Sequence, residues 1–378
     1  MRRNGGAELK LVQYCNSVSP HQLPLAHELL QRVGATNYRY VATNSLSAGR
    51  VACGWSEVKE SWISYGAYGE DAKLDVVLEN CEVLLTGIRE LGLFEKRARK
   101  GLGTLYMSER WFKPVRIVRL FRLFDCSIPG WVRMLVPSYR RMVKRFVRWM
   151  NSDPNARCLA IGPWAKKDML RMGIDESKIV PWGYFVAPSN QRNNLYCQPQ
   201  PSTSTSSPLK VLWVGRMLHW KRVDTIIRAV AEVGKRGVGI QLTIVGDGPE
   251  KPRLQSLANR TIKQSNNRTI VFVPSQPIDK IREIMRSHDV YVLASNAQEG
   301  WGAALNEALE EGMFSIGTFD AGASATMLSP EWMFHSGNWH CLADLIVKCG
   351  EMKKNGVLLG QGIGEWSASR AAERLLTL

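Results

Sequence analysis

Two glutamates eight residues apart, Glu299 and Glu307, bracket a glycine-flanked tryptophan in SNAQEGWGAALNEALEEG (295–312). Gly300 and Gly302 let a ligand approach the backbone closely. The amides of Trp301, Gly302 and Ala303 would point out of a helix N-terminus, an arrangement that favours phosphate. A carboxylate beside that position is no phosphate ligand, but Glu299 suits the hydroxyls of a neighbouring sugar. Glu307, inside the helix, suits the two hydroxyls of a ribose, as acids do in dinucleotide-binding folds. The competing reading makes both glutamates ordinary solvated helix charges, since glycine-rich strand-to-helix turns are common.

A second constellation lies in VGRMLHWKRVD (214–224). Arg216 leaves the end of a strand and Lys221 opens the next helix, so the two cations can clamp a diphosphate. Charge-assisted hydrogen bonds of this kind contribute about 1.5–3 kcal/mol each. Taken singly, either is equally well a surface cation in a cation-rich chain. A third turn, VGDGPEKPRL (245–254), places Gly246, Asp247 and Gly248 after a strand, with Pro249 near a helix start; a structural role is favoured for Asp247. No GxGxxG follows the first strand, which weakens a nicotinamide or flavin reading, and neither GxSxG nor GxxxxGK[ST] occurs. No Asp-x-Asp pair occurs either, so the sequence signals no metal site.

The elements that must hold these residues are read from periodicity. In the second half, short apolar runs (209–215, the run ending at Val245, 269–273, 289–295, 313–319) alternate with helical patterns. Val223, Ile226, Ile227, Val230 and Val233 share one helical face. Such alternation predicts a doubly wound parallel sheet, with ligands beyond the C-terminal strand ends. The first half repeats the theme: strands at 8–15, 38–43, 81–87, 156–162 and 177–185, a helix over 21–34, and another over 163–173 capped by Gly173. The polar stretch QPQPSTSTSSPLK reads as a linker. The expected organisation is an α/β chain of two Rossmann-like doubly wound domains facing a central cleft, 1–197 and 209–360. They are joined by 198–208, and an amphipathic helix within 361–378 closes the chain.

The 378 residues carry a net charge of +16, unevenly spread. Residues 96–148 hold fifteen Lys or Arg against Glu109 and Asp125, a net +13. The eight cysteines are scattered without a CxxC pair, which predicts free thiols rather than disulfides or zinc. No apolar run is long enough for a spanning helix or signal peptide, so a cytoplasmic location is expected.

Together, "VGR…K" (Arg216, Lys221), "VGDGP", "DVYVLAS" and "EGWGAALNEALEEG" resemble, in order and spacing, the family-4 (group 1) retaining glycosyltransferases of GT-B fold. The match is firm over 209–320. It is looser in the first half, where NSVSPHQLPLAHEL, SERWFK and IGPWAKKDMLRMGIDESKIVPWGYF look like acceptor-domain segments of members that build bacterial surface polysaccharides. The closing WSASRAAERLL resembles the last helix of that family, which crosses back to the first domain. The resemblance implies that Arg216 and Lys221 bind the donor diphosphate and stabilise the leaving nucleotide, that Glu299 contacts the transferred sugar, and that Glu307 binds the ribose. Backbone near Ser275 and Gln276 would meet the base, and Gly246 would line the nucleotide site. It also implies a UDP- or GDP-sugar donor, no required cofactor or metal, and retention of configuration. On the acceptor side stand His21, Glu109, Arg110 and Lys113. For His21 a capping or packing role is the stronger reading, and surface charge accounts equally well for the other three. Departures from the family pattern include Pro274 and Arg222, where glycine is usual, and a missing glycine and glutamate in DAGASATML.

Arg116, Arg119 and Arg122 recur every three residues between large apolar side chains. A basic stripe beside apolar residues suits an anionic membrane surface, and a lipid-linked glycan acceptor would fit such a location. Nucleic acid is the rival partner, but no recognised nucleic-acid motif is present, so none is expected. A solvated helix face is the plain alternative. The expected activity is sugar transfer to a glycan or lipid-linked acceptor in cell-surface polysaccharide biosynthesis, with peripheral attachment to the inner face of the membrane. A non-catalytic nucleotide-sugar-binding module is the alternative from another class, and a basic nucleic-acid-binding protein the third.

Overall fold

The computed structural model describes residues 10–51, 57–113, 115–116, 127–128, 130–189, 207–262, 268–358 and 360–378. The stripe at Arg119 and Arg122, and the linker stretch as far as residue 206, lie outside the described residues; at Arg116 only the backbone is described.

In chain order the first elements are β1 (Leu11–Cys15), α1 (Leu23–Val33), β2 (Tyr38–Ala42), α2 (Ala48–Val51), β3 (Ile63–Tyr65), α3 (Ala72–Asn80), β4 (Val83–Thr86), α4 (Leu91–Arg99) and β5 (Gly103–Ser108). A short antiparallel pair, β6 (Val115–Arg116) and β7 (Ser127–Ile128), precedes a 3-10 turn (Gly130–Leu135), α5 (Pro137–Ser152), β8 (Ala156–Ile161), α6 (Pro163–Met172) and β9 (Ile179–Trp182). Next come β10 (Leu209–Val214), α7 (Val223–Lys235), β11 (Ile240–Val245), α8 (Lys251–Ile262), β12 (Arg268–Val273), α9 (Ile278–Arg286) and β13 (Val290–Leu293). The last are α10 (Ala304–Glu310), β14 (Phe314–Thr318), α11 (Gly322–Met327), β15 (Met333–Phe334), α12 (Trp339–Lys354) and α13 (Ala368–Leu375).

The chain divides into two compact units. One is Met1–Ala48, Ser56–Ala187 and Ala368–Leu378; the other is Gly49–Trp55 and Pro188–Ser367. The first unit contains a seven-stranded sheet, β3-β2-β1-β4-β5-β8-β9, and the second a six-stranded sheet, β12-β11-β10-β13-β14-β15. Every pairing in both sheets is parallel. Parallel sheets covered on both faces need continuous apolar strands. All five residues of β1 are buried, as are all four of β13 and all five of β14.

In the second unit, Val223, Ile226, Ile227, Val230 and Val233 of α7 are buried against Val211, Trp213 and Leu242 of the sheet. In the first, Val143, Phe146, Trp149 and Met150 of α5 enter the core, where Phe94 stacks on Trp149 with ring centroids 4.7 Å apart. Gly173 caps α6 in the left-handed conformation (φ 95°), as its sequence position predicts. α13 lies in the first unit, where Arg32 of α1 donates to Ser369 Oγ (2.9 Å) and pairs with Glu373 (3.3 Å). Periodicity alone does not mark α3, α4, α11 or α12. No helix among the described residues is long and apolar enough to cross a membrane.

The strand order reverses beside the first strand of each sheet, between β1 and β4 and between β10 and β13. Loops leaving such paired strands diverge to opposite faces and open a crevice at the C-terminal edge. The two constellations most suited to chemistry come directly after β10 and β13.

Candidate active site

Arg216 is exposed, two residues past β10. Lys221 ends a 3-10 turn (His219–Lys221) that abuts α7. The next residue, Arg222, is the only non-glycine with positive φ (50°) among the described residues, and it holds Asp224 in an ion pair (3.1 Å). A left-handed residue here turns the chain sharply into α7 and leaves Lys221 on the strand-end side.

The loop after β13 meets this turn. Asn296 N–H donates to Trp220 O (2.8 Å), and Lys221 Nζ lies 2.5 Å from Glu299 Oε2. Ser295 Oγ donates to the same carboxylate oxygen (3.0 Å). Residues 78 positions apart in sequence thus form one charged pair across the switch point. The Lys221 ammonium carries three donors, so it can hold Glu299 and still face an anion.

Backbone packing shapes the neighbouring turn after β11. A Cβ on Gly246 would stand 2.0 Å from Gly215 O, and one on Gly248 would stand 2.6 Å from Met217 O. The absence of side chains lets the β11 loop lie directly on the β10 loop, sealed by Met217 N–H to Asp247 O (2.7 Å). Asp247 accepts from Gly248 N–H (2.8 Å) and Lys251 (2.6 Å), contacts that hold its carboxyl below the usual range. Gly246 and Asp247 thus shape the loop carrying Arg216.

Gly300, Trp301 and Gly302 are wedged between β13 and α11. Gly302 has φ 103°, and a Cβ there would meet Leu293 at 2.7 Å. The Trp301 indole is buried, donating to Asn306 Oδ1 (2.7 Å) and packed near Trp366. What Trp301 can offer a ligand is therefore its backbone. The amides of Trp301, Gly302 and Ala303 stand ahead of the first bonds of α10, Leu305 N–H to Gly302 O (3.0 Å) and Glu307 N–H to Ala303 O (3.2 Å).

Glu307 is only 6% exposed. Burial raises its carboxyl to about 7, Arg282 opposes this, and Glu311 adds to it. Glu311, one turn further on, is more firmly compensated, bonding Arg282 (3.1 Å), Arg286 (2.7 Å) and Ser189 Oγ (3.1 Å). The Tyr291 hydroxyl, from β13, is buried without a hydrogen-bond partner among the described residues, and the charges of Glu307 and Glu299 both reach it. Ser275 and Gln276 come after β12, two strands away from β10, and are partly buried; Gln276 donates to Pro274 O (3.3 Å).

In the first unit the residues expected on the acceptor side lie near one another. Glu109, just past β5, accepts from Tyr184 Oη (2.9 Å), which lies beyond β9, and pairs with Lys113. His21, in the loop after β1, has its ring centroid 6.2 Å from that of Tyr184, and its carbonyl accepts from Phe185 N–H (3.3 Å). Arg110 faces buried Asp168 of α6 (3.7 Å) and lies over Trp164. Asp168 also accepts from Phe112 N–H (3.0 Å). Sequence reasoning missed Tyr184, Asp168, Ser295, Tyr291 and Arg282. Tyr184 and Ser295 had one signal: each stands just beyond a parallel strand, where loops share an edge.

Three comparisons bear on this geometry. The sequence model of the glycosyl transferases group 1 family matches residues 208–351. WcaL of Escherichia coli (strain K12), which carries the name of a colanic acid biosynthesis glycosyltransferase, is 22% identical over 279 residues. That similarity covers 70% of this chain but 62% of WcaL, so the chain spans less than two thirds of that relative. Among solved structures, Anabaena Alr3699/HepE in complex with UDP superposes with a TM-score of 0.63 at 13% identity, covering 98% of this chain and all of that one. The lipopolysaccharide outer core galactosyltransferase WaaB gives 0.61 at 13% identity, covering 98% of each. The switch-point residues fall inside the segment that matches the group 1 glycosyl transferases, and the two parallel-sheet units have the GT-B fold of these structural neighbours.

Proposed function

We propose that this protein is a retaining, metal-independent hexosyltransferase that moves a sugar from a nucleotide-diphosphate sugar to a glycan or lipid-linked acceptor in cell-surface polysaccharide biosynthesis. The observation that carries the reading is the Lys221–Glu299 ion pair where the loops after β10 and β13 meet, with Arg216 in the first of those loops. The binding of UDP by HepE, a structural neighbour, supports a UDP-sugar as the first donor to test.

In this reading Arg216 and Lys221 neutralise the diphosphate and stabilise it as the C1–O bond breaks. Glu299, positioned by Lys221 and Ser295, accepts hydrogen bonds from hydroxyls of the transferred sugar. Glu307 takes the ribose hydroxyls, the amides at Trp301–Ala303 take phosphate, and the backbone at Ser275 and Gln276 meets the base. The acceptor hydroxyl forms its bond to C1 on the face the diphosphate leaves, and its proton passes to the departing phosphate oxygen. Positioning and leaving-group electrostatics supply the catalysis. His21, Glu109, Arg110, Lys113 and Tyr184 serve the acceptor. Peripheral attachment to the inner, anionic face of a membrane would present a lipid-linked acceptor.

Thermal stabilisation by UDP-, GDP-, ADP- and CMP-sugars with chelator present tests this reading, because a ligand that binds only the native state raises Tm. One nucleotide class should stabilise the wild type and release sugar to acceptor or water. Lys221→Ala should weaken that effect by about 10–150-fold in affinity, the equivalent of one charge-assisted bond. A folded wild type that responds to none of them refutes the donor site.

A further inference from the structure

We infer that the 3-10 turn Gly130–Leu135 and the outer face of α5 form a docking surface for an anionic phospholipid bilayer, set beside the acceptor-side residues. The inference deepens the acceptor reading above and rests on it for its purpose, though not for its observations.

Three large apolar side chains cluster at this turn and are open to solvent: Trp131 at 55%, Leu135 at 72% and Val136 at 51%. They are not core residues that failed to pack. The adjoining helix buries its own apolar set, Val143, Phe146, Trp149 and Met150, on its opposite side. A row of exposed apolar residues with one aromatic marks a contact surface rather than an ordinary solvated turn.

The charge beside it defines the partner. Arg133, Arg140, Arg141, Lys144, Arg145 and Arg148 are all exposed, and residues 130–152 contain no Asp or Glu. Arg140, Lys144 and Arg148 repeat every four residues and so share one stripe, with Arg141 beside it. Of the six, Arg145 alone has a carboxylate partner among the described residues, Glu95 at 2.6 Å. A solvated helix face is normally dressed with both signs, and this one carries a single sign next to an apolar wedge. Cations for lipid phosphates and a Trp/Leu wedge for the acyl boundary are the parts of an interfacial anchor. Nucleic acid would use the stripe but has no use for an exposed Leu135–Val136 pair.

Position ties the surface to the site. Gly130 packs so closely on the β5 loop that a Cβ would lie 2.4 Å from both Lys113 O and Phe112 C. Trp131 therefore begins one residue from a contact with the segment that carries Glu109, Arg110 and Lys113. A bilayer held by this turn would present its headgroups next to that cluster.

The test is flotation of the full-length protein with phosphatidylglycerol-rich and pure phosphatidylcholine vesicles, at low and high salt. Wild type should float with the anionic vesicles at low salt and be released by salt, which screens exposed charge. Arg140→Gln/Lys144→Gln/Arg148→Gln should lose about fivefold in partitioning per cation. Trp131→Ser/Leu135→Ser/Val136→Ser should lose at least about tenfold. All replaced side chains are exposed, so both variants should keep the wild-type Tm and the nucleotide-sugar stabilisation. That second readout separates the two ideas: loss of flotation with an intact donor response supports the docking surface, whatever the acceptor proves to be. Wild type that does not float, floats equally on phosphatidylcholine, or is matched by both variants overturns it. So does binding to duplex DNA with no binding to vesicles.

Discussion

Glu307→Gln should make the protein more stable at neutral and alkaline pH while weakening its hold on nucleotide. Burial raises the Glu307 carboxyl to about 7 in the folded chain, against an ordinary 4.5. Between those values the folded state binds a proton that the unfolded state has released, so stability falls as pH rises through this window. The difference is 7 − 4.5 = 2.5 pH units. At 1.36 kcal/mol per unit that is roughly 3 kcal/mol, fully developed above pH ~7 and absent below pH ~4.5. Glutamine nearly matches the neutral acid in shape, so the variant should lack this slope. For a unit of this size ~3 kcal/mol corresponds to roughly 6–12 °C in Tm. Melting curves of wild type and variant without nucleotide should converge near pH ~5 and separate by up to that amount near pH ~8. Ribose hydroxyls donate to a carboxylate better than to an amide, so nucleotide affinity should drop by about 10–150-fold. Parallel pH profiles for the two proteins would refute the buried-acid argument. A variant that is stabilised yet binds nucleotide as tightly as wild type would refute the ribose role and leave the burial intact.

Gly246→Ala forces a Cβ to 2.0 Å from Gly215 O at φ 131°, so the two loops must separate. A loss of about 2–4 kcal/mol in stability is expected, with donor affinity reduced through displaced Arg216, and denaturation with and without nucleotide checks it. Tyr184→Phe removes the hydroxyl bonded to Glu109 (2.9 Å). It should raise the KM for acceptor by about 10–150-fold, one hydrogen bond to a charged group, with the donor KM unchanged; steady-state kinetics varying each substrate in turn decide it.

The proposed donor side is legible in the sequence because its candidate residues sit in loops directly beyond parallel strands. Runs such as LKVLWVG and DVYVLAS declare themselves by composition, and parallel strands of one sheet deliver their trailing loops to a single edge. Arg216, Lys221 and Glu299 are found that way. Their pairing is not, because hydropathy carries no information about which strands are neighbours; the β10–β13 adjacency is a product of strand order. Trp301 is read from the sequence for its backbone amide alone; that its indole lies in the core is not legible there, since a glycine-bracketed aromatic has the same sequence signature whether it turns outward or inward. The cluster proposed for the acceptor draws on positions 21, 109–113, 164–168 and 184, whose common property is the sheet edge they reach. Asp168 falls inside the segment read as a helix over 163–173, and its burial emerges only once Phe112 and Arg110 are folded against it.

Glu299 and Glu307 differ in a way their spacing does not reveal. Glu299 is already half of a charge pair, and its partner is the same lysine that would face the diphosphate. Its position is therefore set before ligand arrives, as an electrostatic site requires. Glu307 lies in a region whose arginines are drawn to Glu311, which takes bonds from both Arg282 and Arg286 and leaves Glu307 a pull from Arg282 too weak to offset burial. A purely structural helix would gain stability from an uncharged side chain at that position. Glu311 anchors α10 whether or not Glu307 is ionised, so the cost of the buried acid does not dislodge the helix. Under the proposed function the buried acid is placed for a ligand at some expense of stability, and a pair of ribose hydroxyls is a partner able to supply hydrogen bonds that favour the charged carboxylate.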